Sequence, residues 1–112
     1  MKDKLFVLRP GFDDKGTTWF CPYSAQVIGF FAYYPQVKDT VELIEIDFPK
    51  PREPLAGLLG EHHQSAPMLV FASEPASVPD VKISEANSHK FVAKTIEILR
   101  YLAATSGVPA PH

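Results

Sequence analysis

The 112-residue chain has a single cysteine, so no internal disulfide can form and nothing in it depends on an oxidising compartment. It also lacks an excess of either charge: 11 Lys and Arg face 13 Asp and Glu, for a formal net charge of −2. The cations are scattered, with no basic stripe or tail, which removes any general attraction for nucleic acid or an anionic membrane surface. No window approaches the ~18 apolar residues of a membrane-spanning helix. Lys2-Asp3-Lys4 leads into a short apolar run with no cleavage-type segment behind it, so the expected location is the cytoplasm, in the manner of a bacterial protein. No internal repeat is visible. Proline is abundant, with 11 residues that fall mostly between candidate elements and punctuate them. Hydrophobic residues at 46% and charged residues at 21% are ordinary for a globular chain, and the length suits one domain over residues 1–112.

In chain order, Leu5-Phe6-Val7-Leu8 is too short for a helix and reads as a buried strand. Residues Pro10 to Thr18 read as a polar loop. From Pro22 to about Tyr34, Val27, Phe30, Phe31 and Tyr34 recur at helical spacing, and Pro35 ends the helix. Val41 to Phe48 is β-branched and partly alternating, a second strand. Arg52 to Leu59 is a short helix candidate capped by Gly60, and Glu61 to Ser65 a solvated polar loop. Met68 to Ala72 is a third strand, headed by a proline that marks an edge, a strand start or a cis turn. Val81-Lys82-Ile83 suggests a fourth, and an amphipathic helix is expected from about Phe91 to Ala104, with Val92, Ile96, Leu99, Leu102 and Ala103 on its apolar side. Alternating strands and helices imply an α/β layer, and a terminal hairpin makes its sheet mixed.

The lone cysteine sits where loop turns into helix. Pro22 suits a first helical position, which makes Cys21 the N-cap, with its sulfur beside free amides and the positive end of the helix. Such a place favours thiolate, the nucleophilic form. The bland alternative is an inert, buried cysteine. His62-His63 is read as part of the solvated loop, because adjacent histidines diverge and no second cysteine or carboxylate completes a ligand set; no metal is expected. Trp19 and Phe20 suit either a pocket wall or core packing.

The order of elements, with Cys21-Pro22-Tyr23-Ser24 opening the first helix and Pro67 heading the third strand, resembles the thioredoxin-like superfamily. The four-residue motif looks like a glutaredoxin active site whose second cysteine is serine. Ala66-Pro67-Met68-Leu69-Val70 looks like the cis-proline segment that faces such a site, and Ile98 to Ala103 is similar to the last helix of glutathione-transferase N-terminal domains. More closely, the Pro10–Thr18 loop, Trp19-Phe20-Cys21-Pro22, Tyr33-Tyr34-Pro35 and Asp47 to Arg52 look like a small bacterial thioredoxin-like family of unknown function. The resemblance implies a β-α-β-α-β-β-α fold with a central mixed four-stranded sheet flanked by helices.

It also implies a glutathione groove: Cys21 as the catalytic thiol, Pro22, Tyr23 and Ser24 around the sulfur, Ala66 before Pro67 pairing with the cysteinyl part of the tripeptide, and Thr95 holding its γ-glutamyl carboxylate. Lys94 stands where those relatives usually carry an acid, and Thr95 serves equally as an ordinary helix-start threonine. Ser24 cannot resolve a mixed disulfide, so the expected function is monothiol exchange, with no resident cofactor and glutathione as co-substrate, acting on glutathione or a protein thiol or mixed disulfide, or else glutathione binding that uses Cys21. The alternative is a non-enzymatic thioredoxin-like interaction module.

Overall fold

The apolar run at the N-terminus forms β1 (Asp3–Leu8) in the computed structural model, which describes residues 1–112. Lys15 and Gly16, both at positive φ (52° and 81°), then turn β2 (Phe12–Asp14) back onto β3 (Thr17–Trp19). Pro22 opens α1 (Pro22–Tyr33), and Pro35 both stops it and opens the one-turn α2 (Pro35–Lys38). There follow β4 (Val41–Ile46), α3 (Leu55–Leu59), β5 (Met68–Val70), β6 (Ser84–Ala86), β7 (His89–Val92) and α4 (Thr95–Ser106). No helix is long and apolar enough to cross a membrane.

Five strands form one mixed sheet in the order β4-β1-β5-β7-β6. β1 runs parallel to β4, with Phe6 opposite Ile44, and antiparallel to β5, with Phe6 opposite Met68; β7 is antiparallel to both β5 and β6. Strand side chains alternate between faces, and here both faces are covered. Leu5, Val7, Leu69 and Val92 point to one side, against Val27, Phe30 and Phe31 of α1 and Ile98, Leu99 and Leu102 of α4. Phe6, Leu8, Met68, Val70 and Phe91 point to the other, against Leu55 and Leu59 of α3. A strand buried on both faces must be apolar throughout, which is why Leu5 to Leu8 shows no polar alternation.

The sheet therefore has five strands rather than the expected four. Residues Phe12–Trp19 are a hairpin, not a loop: positive φ at both turn residues gives the twist that a two-residue connection needs, and glycine takes it without strain. Val81 and Ile83 are half-buried against the first core but precede β6 instead of forming a strand. The last helix begins at Thr95. Phe91 and Val92 belong to β7, which Asn87 and Ser88 connect to β6 through a second turn at positive φ. Helical and extended periods coincide over so short an apolar run, so spacing alone could not separate them. Ile96, in the open first turn of α4, is consequently exposed. The second strand stops at Ile46, two residues before Phe48.

Leu69 is fully buried in the middle of the sheet, between β1 and β7. Leu69→Ala is expected to cost about 2–5 kcal/mol, from lost transfer energy and the residual cavity, read as a lower urea midpoint at unchanged slope.

Candidate functional site

Strand direction decides where chemistry can gather. β1 and β4 are parallel and β5 is antiparallel to β1, so β7, antiparallel to β5, runs with β1. The segments after Leu8, after Ile46 and after Val92, and the segment before Met68, thus meet at one end of the sheet. Open α/β sheets bind ligands at the carboxyl ends of their parallel strands. Every candidate residue from the sequence lies in or next to those segments.

Cys21 is the N-cap of α1, in extended geometry (φ −81°, ψ 116°), and half-buried. Its Sγ accepts the Ser24 N–H at 3.4 Å, so the sulfur occupies the place where a capping oxygen usually sits. Pro22 is the first helical residue and is exposed, as is Tyr23. Ser24 is different. It is buried, and its Oγ accepts the Leu8 N–H at 3.0 Å. Arg9, the next residue, sends its N–H to Ile46 on the β4 side. Leu8 N–H must therefore point toward β5, whose ladder with β1 stops at the Phe6–Met68 pair. Ser24 supplies the acceptor that the short strand does not.

Two depressions flank the start of α1. One, of about 400 Å³, brings together Tyr23, Gln26, Ser65, Ala66, Lys94 and Thr95, and so joins three of the expected groove residues. Pro67 is buried next to it; the Ala66–Pro67 bond is cis and β5 starts directly after it. Lys94 is the N-cap of α4 and offers no side-chain cap, which leaves Thr95 at the first helical position. The other depression, of about 350 Å³, is a more apolar cleft that includes Cys21, Ser24, Phe20, Ala25 and Ile28.

One residue of the site went unnoticed in the sequence. Arg52 emerges from the Pro-rich loop after β4, close enough to Cys21 for a thiolate there to act on its charge. Partial removal from water holds the Arg52 guanidinium below its ordinary value, and the Cys21 charge opposes that effect. A guanidinium stays charged at any physiological pH, so the sulfur has a permanent cation near it. Arg52 is firmly placed: its Nε donates to Phe48 O at 2.7 Å and its Nη1 to Gln64 O at 3.1 Å, and its guanidinium lies over the Phe48 ring at 5.1 Å. Phe48 in turn stacks on Phe12 of β2, with ring centroids 4.4 Å apart and the rings nearly parallel. Gln64, expected in a solvated loop, is buried instead; its Oε1 accepts the Arg52 N–H and its Nε2 donates to Glu61 O, both at 2.7 Å. The histidine pair also splits, with His62 exposed and His63 against the Phe91 ring at 4.9 Å.

Ser24→Ala would leave the Leu8 N–H unpaired in the interior. It is expected to cost about 1–3 kcal/mol in chemical denaturation, while the thiol count of the folded protein stays the same.

The sequence model of a family described as "Protein of unknown function (DUF3088)" matches residues 2–110. No curated protein and no solved structure matches the chain. With the match spanning nearly every residue, the chain belongs to the DUF3088 family.

Proposed function

We propose that the chain is a thioredoxin-like domain and that Cys21 performs monothiol, glutathione-linked disulfide exchange. The fold part is supported by the run β4-β1-β5-β7, with one parallel and two antiparallel contacts, α1 and α4 on one face and α3 on the other. On this reading the β2–β3 hairpin and β6 are additions to a four-stranded core.

The observation that carries the chemistry is the setting of Cys21: a half-buried cysteine at a helix start, its sulfur taking one backbone N–H, with the Arg52 cation near it. A helix start with a free amide and a neighbouring cation is the kind of setting in which reactive cysteines are found. Ser24 is occupied by Leu8, and no second thiol exists in the chain, so the resolving thiol must come from outside. In the forward step the Cys21 thiolate attacks the glutathione sulfur of a mixed disulfide. That S–S bond breaks, a Cys21–glutathione disulfide forms, and the substrate leaves as thiolate and takes a proton from water. A second glutathione thiolate then attacks the Cys21-bound glutathione, releasing glutathione disulfide and the free Cys21 thiolate. One disulfide is consumed and one produced. On this reading the Tyr23–Ala66–Thr95 depression takes the tripeptide, and Lys94 on its wall supplies positive charge for a carboxylate.

A second reading, an interaction module without turnover, draws on the exposure of Trp19 (52%) and Phe20 (63%) beside Cys21. Deglutathionylation of a glutathionylated peptide separates the two. The wild-type chain is expected to turn over and Cys21→Ser to be inactive. A Cys21→Ser variant with full activity would end the proposal, and a wild-type chain with neither turnover nor a glutathione-induced rise in melting temperature favours the interaction module.

Arg52 gives an independent test with charged and neutral alkylating agents. Losing its cation is expected to slow reaction of Cys21 with iodoacetate about threefold in Arg52→Gln, and to slow iodoacetamide less, because only the anionic reagent is drawn by the charge. Equal slowing with both reagents would show that Arg52 does not draw the incoming anion, and no slowing with either would show that its cation does not reach the sulfur.

A further inference from the structure

We infer that the apolar cleft beside Cys21 holds the non-glutathione half of the disulfide, and that this half is a small thiol with an aromatic or branched apolar body and a terminal amine. This rests on the exchange reading above and extends it to the substrate. The cleft measures about 350 Å³, within the range of small-molecule sites. Its walls are the end of β1 at Val7 and Leu8, the loop residue Phe20, and Ala25 and Ile28 of α1. Phe20 (63% exposed) and Ile28 (48%) keep apolar surface in water where a ligand could cover it.

Two polar groups select within that apolar site. Ser24, only 4% exposed, lines the cleft; its oxygen is taken by Leu8 N–H, and its own hydrogen, with no acceptor inside the protein, is available to a ligand. Glu45 lies at the rim and joins no ion pair, whereas the neighbouring Asp47 is paired with Arg9 at 3.2 Å. A free carboxylate beside apolar walls repels a tripeptide with two carboxylates and attracts an amine.

The two depressions also lie on different sides of α1. At about 100° per residue, Ser24, Ala25 and Ile28 project to one flank of the helix, and Tyr23 and Gln26 to the opposite flank. Cys21 caps the helix between them. A mixed disulfide attacked there places its glutathione half on the Tyr23 side and its apolar half in the cleft. When the Cys21–glutathione bond forms, the apolar thiolate leaves from the cleft and takes its proton from water, as in the exchange step above.

Amide NMR titration of the wild-type chain with 4-methylbenzylamine tests the cleft without any chemistry. Saturable shifts are expected at Val7, Leu8, Ser24, Ala25 and Ile28; Ala25→Trp, which fills the cleft from an exposed helix position, should abolish them, and Glu45→Gln should weaken binding about threefold, the scale of an exposed ion pair. Absence of saturable shifts at these residues, or their persistence in Ala25→Trp, overturns the assignment. Rates with two disulfides test its use. The mixed disulfide of glutathione with 4-(aminomethyl)benzyl mercaptan should react with Cys21 at least about tenfold faster than glutathione disulfide, given the apolar area the ring would bury. Equal rates overturn the assignment and leave the exchange reading standing. No reaction with either disulfide overturns the exchange reading, and localised shifts in the titration then still support the cleft as an apolar-amine site.

Discussion

The buried hydrogen bond from Leu8 N–H to Ser24 Oγ holds the start of α1, and with it Cys21, against the end of the central strand. It exists because β5 stops short: its ladder with β1 ends at Phe6–Met68, and one N–H of the central strand is left without a partner inside the protein. A buried N–H needs an acceptor, and the first turn of α1 provides it. The bond therefore ties helix start to strand end, and with it sets the position of Cys21 three residues earlier. The same bond limits the chemistry. The position where a second cysteine would resolve a mixed disulfide is occupied by a residue whose oxygen is needed by the backbone.

The core was legible because periodicity reports burial directly. Leu5 to Leu8, the Val27–Phe30–Phe31 face and the Leu99–Leu102–Ala103 face are all buried as their spacing suggests. The Cys21-Pro22 step was legible for a local reason, since capping and the first-turn proline depend only on neighbouring residues. The hairpins were not. β2, β3 and β6 are three residues each and largely polar, so they bury too little to leave a pattern, and their existence rests on turn dihedrals at Lys15-Gly16 and Asn87-Ser88. The two turns use neither of the strongest hairpin pairs, Asn-Gly and Asp-Gly.

Arg52 was hidden for another reason. Its approach to Cys21 joins residues far apart in the chain, and it is set by contacts that no local pattern contains: the carbonyls of Phe48 and Gln64, and a ring that is itself stacked on the hairpin residue Phe12. Nothing in the sequence marks Gln64 as buried, since a polar residue in a polar run carries no sign of burial. It is buried because it holds Arg52 at both ends, through backbone and side chain. The loop between β4 and β5 is thus a built wall of the site.

Topology explains why these separate pieces converge. With β1, β4 and β7 running one way and β5 the other, four connections reach the same end of the sheet: the hairpin and Cys21, the Pro-rich loop with Arg52, the Ala66-Pro67 step, and the Lys94-Thr95 helix start. Each reaches that end for reasons of strand direction, whatever its side chains. The side chains then differ by flank. Tyr23, Gln26, Ser65, Lys94 and Thr95 make one side of α1 polar and cationic, while Phe20, Ala25 and Ile28 make the other apolar, with Glu45 at its edge. A sulfur placed between two surfaces of such unlike character is better suited to a ligand with two unlike halves than to a symmetrical one, and a mixed disulfide is such a ligand.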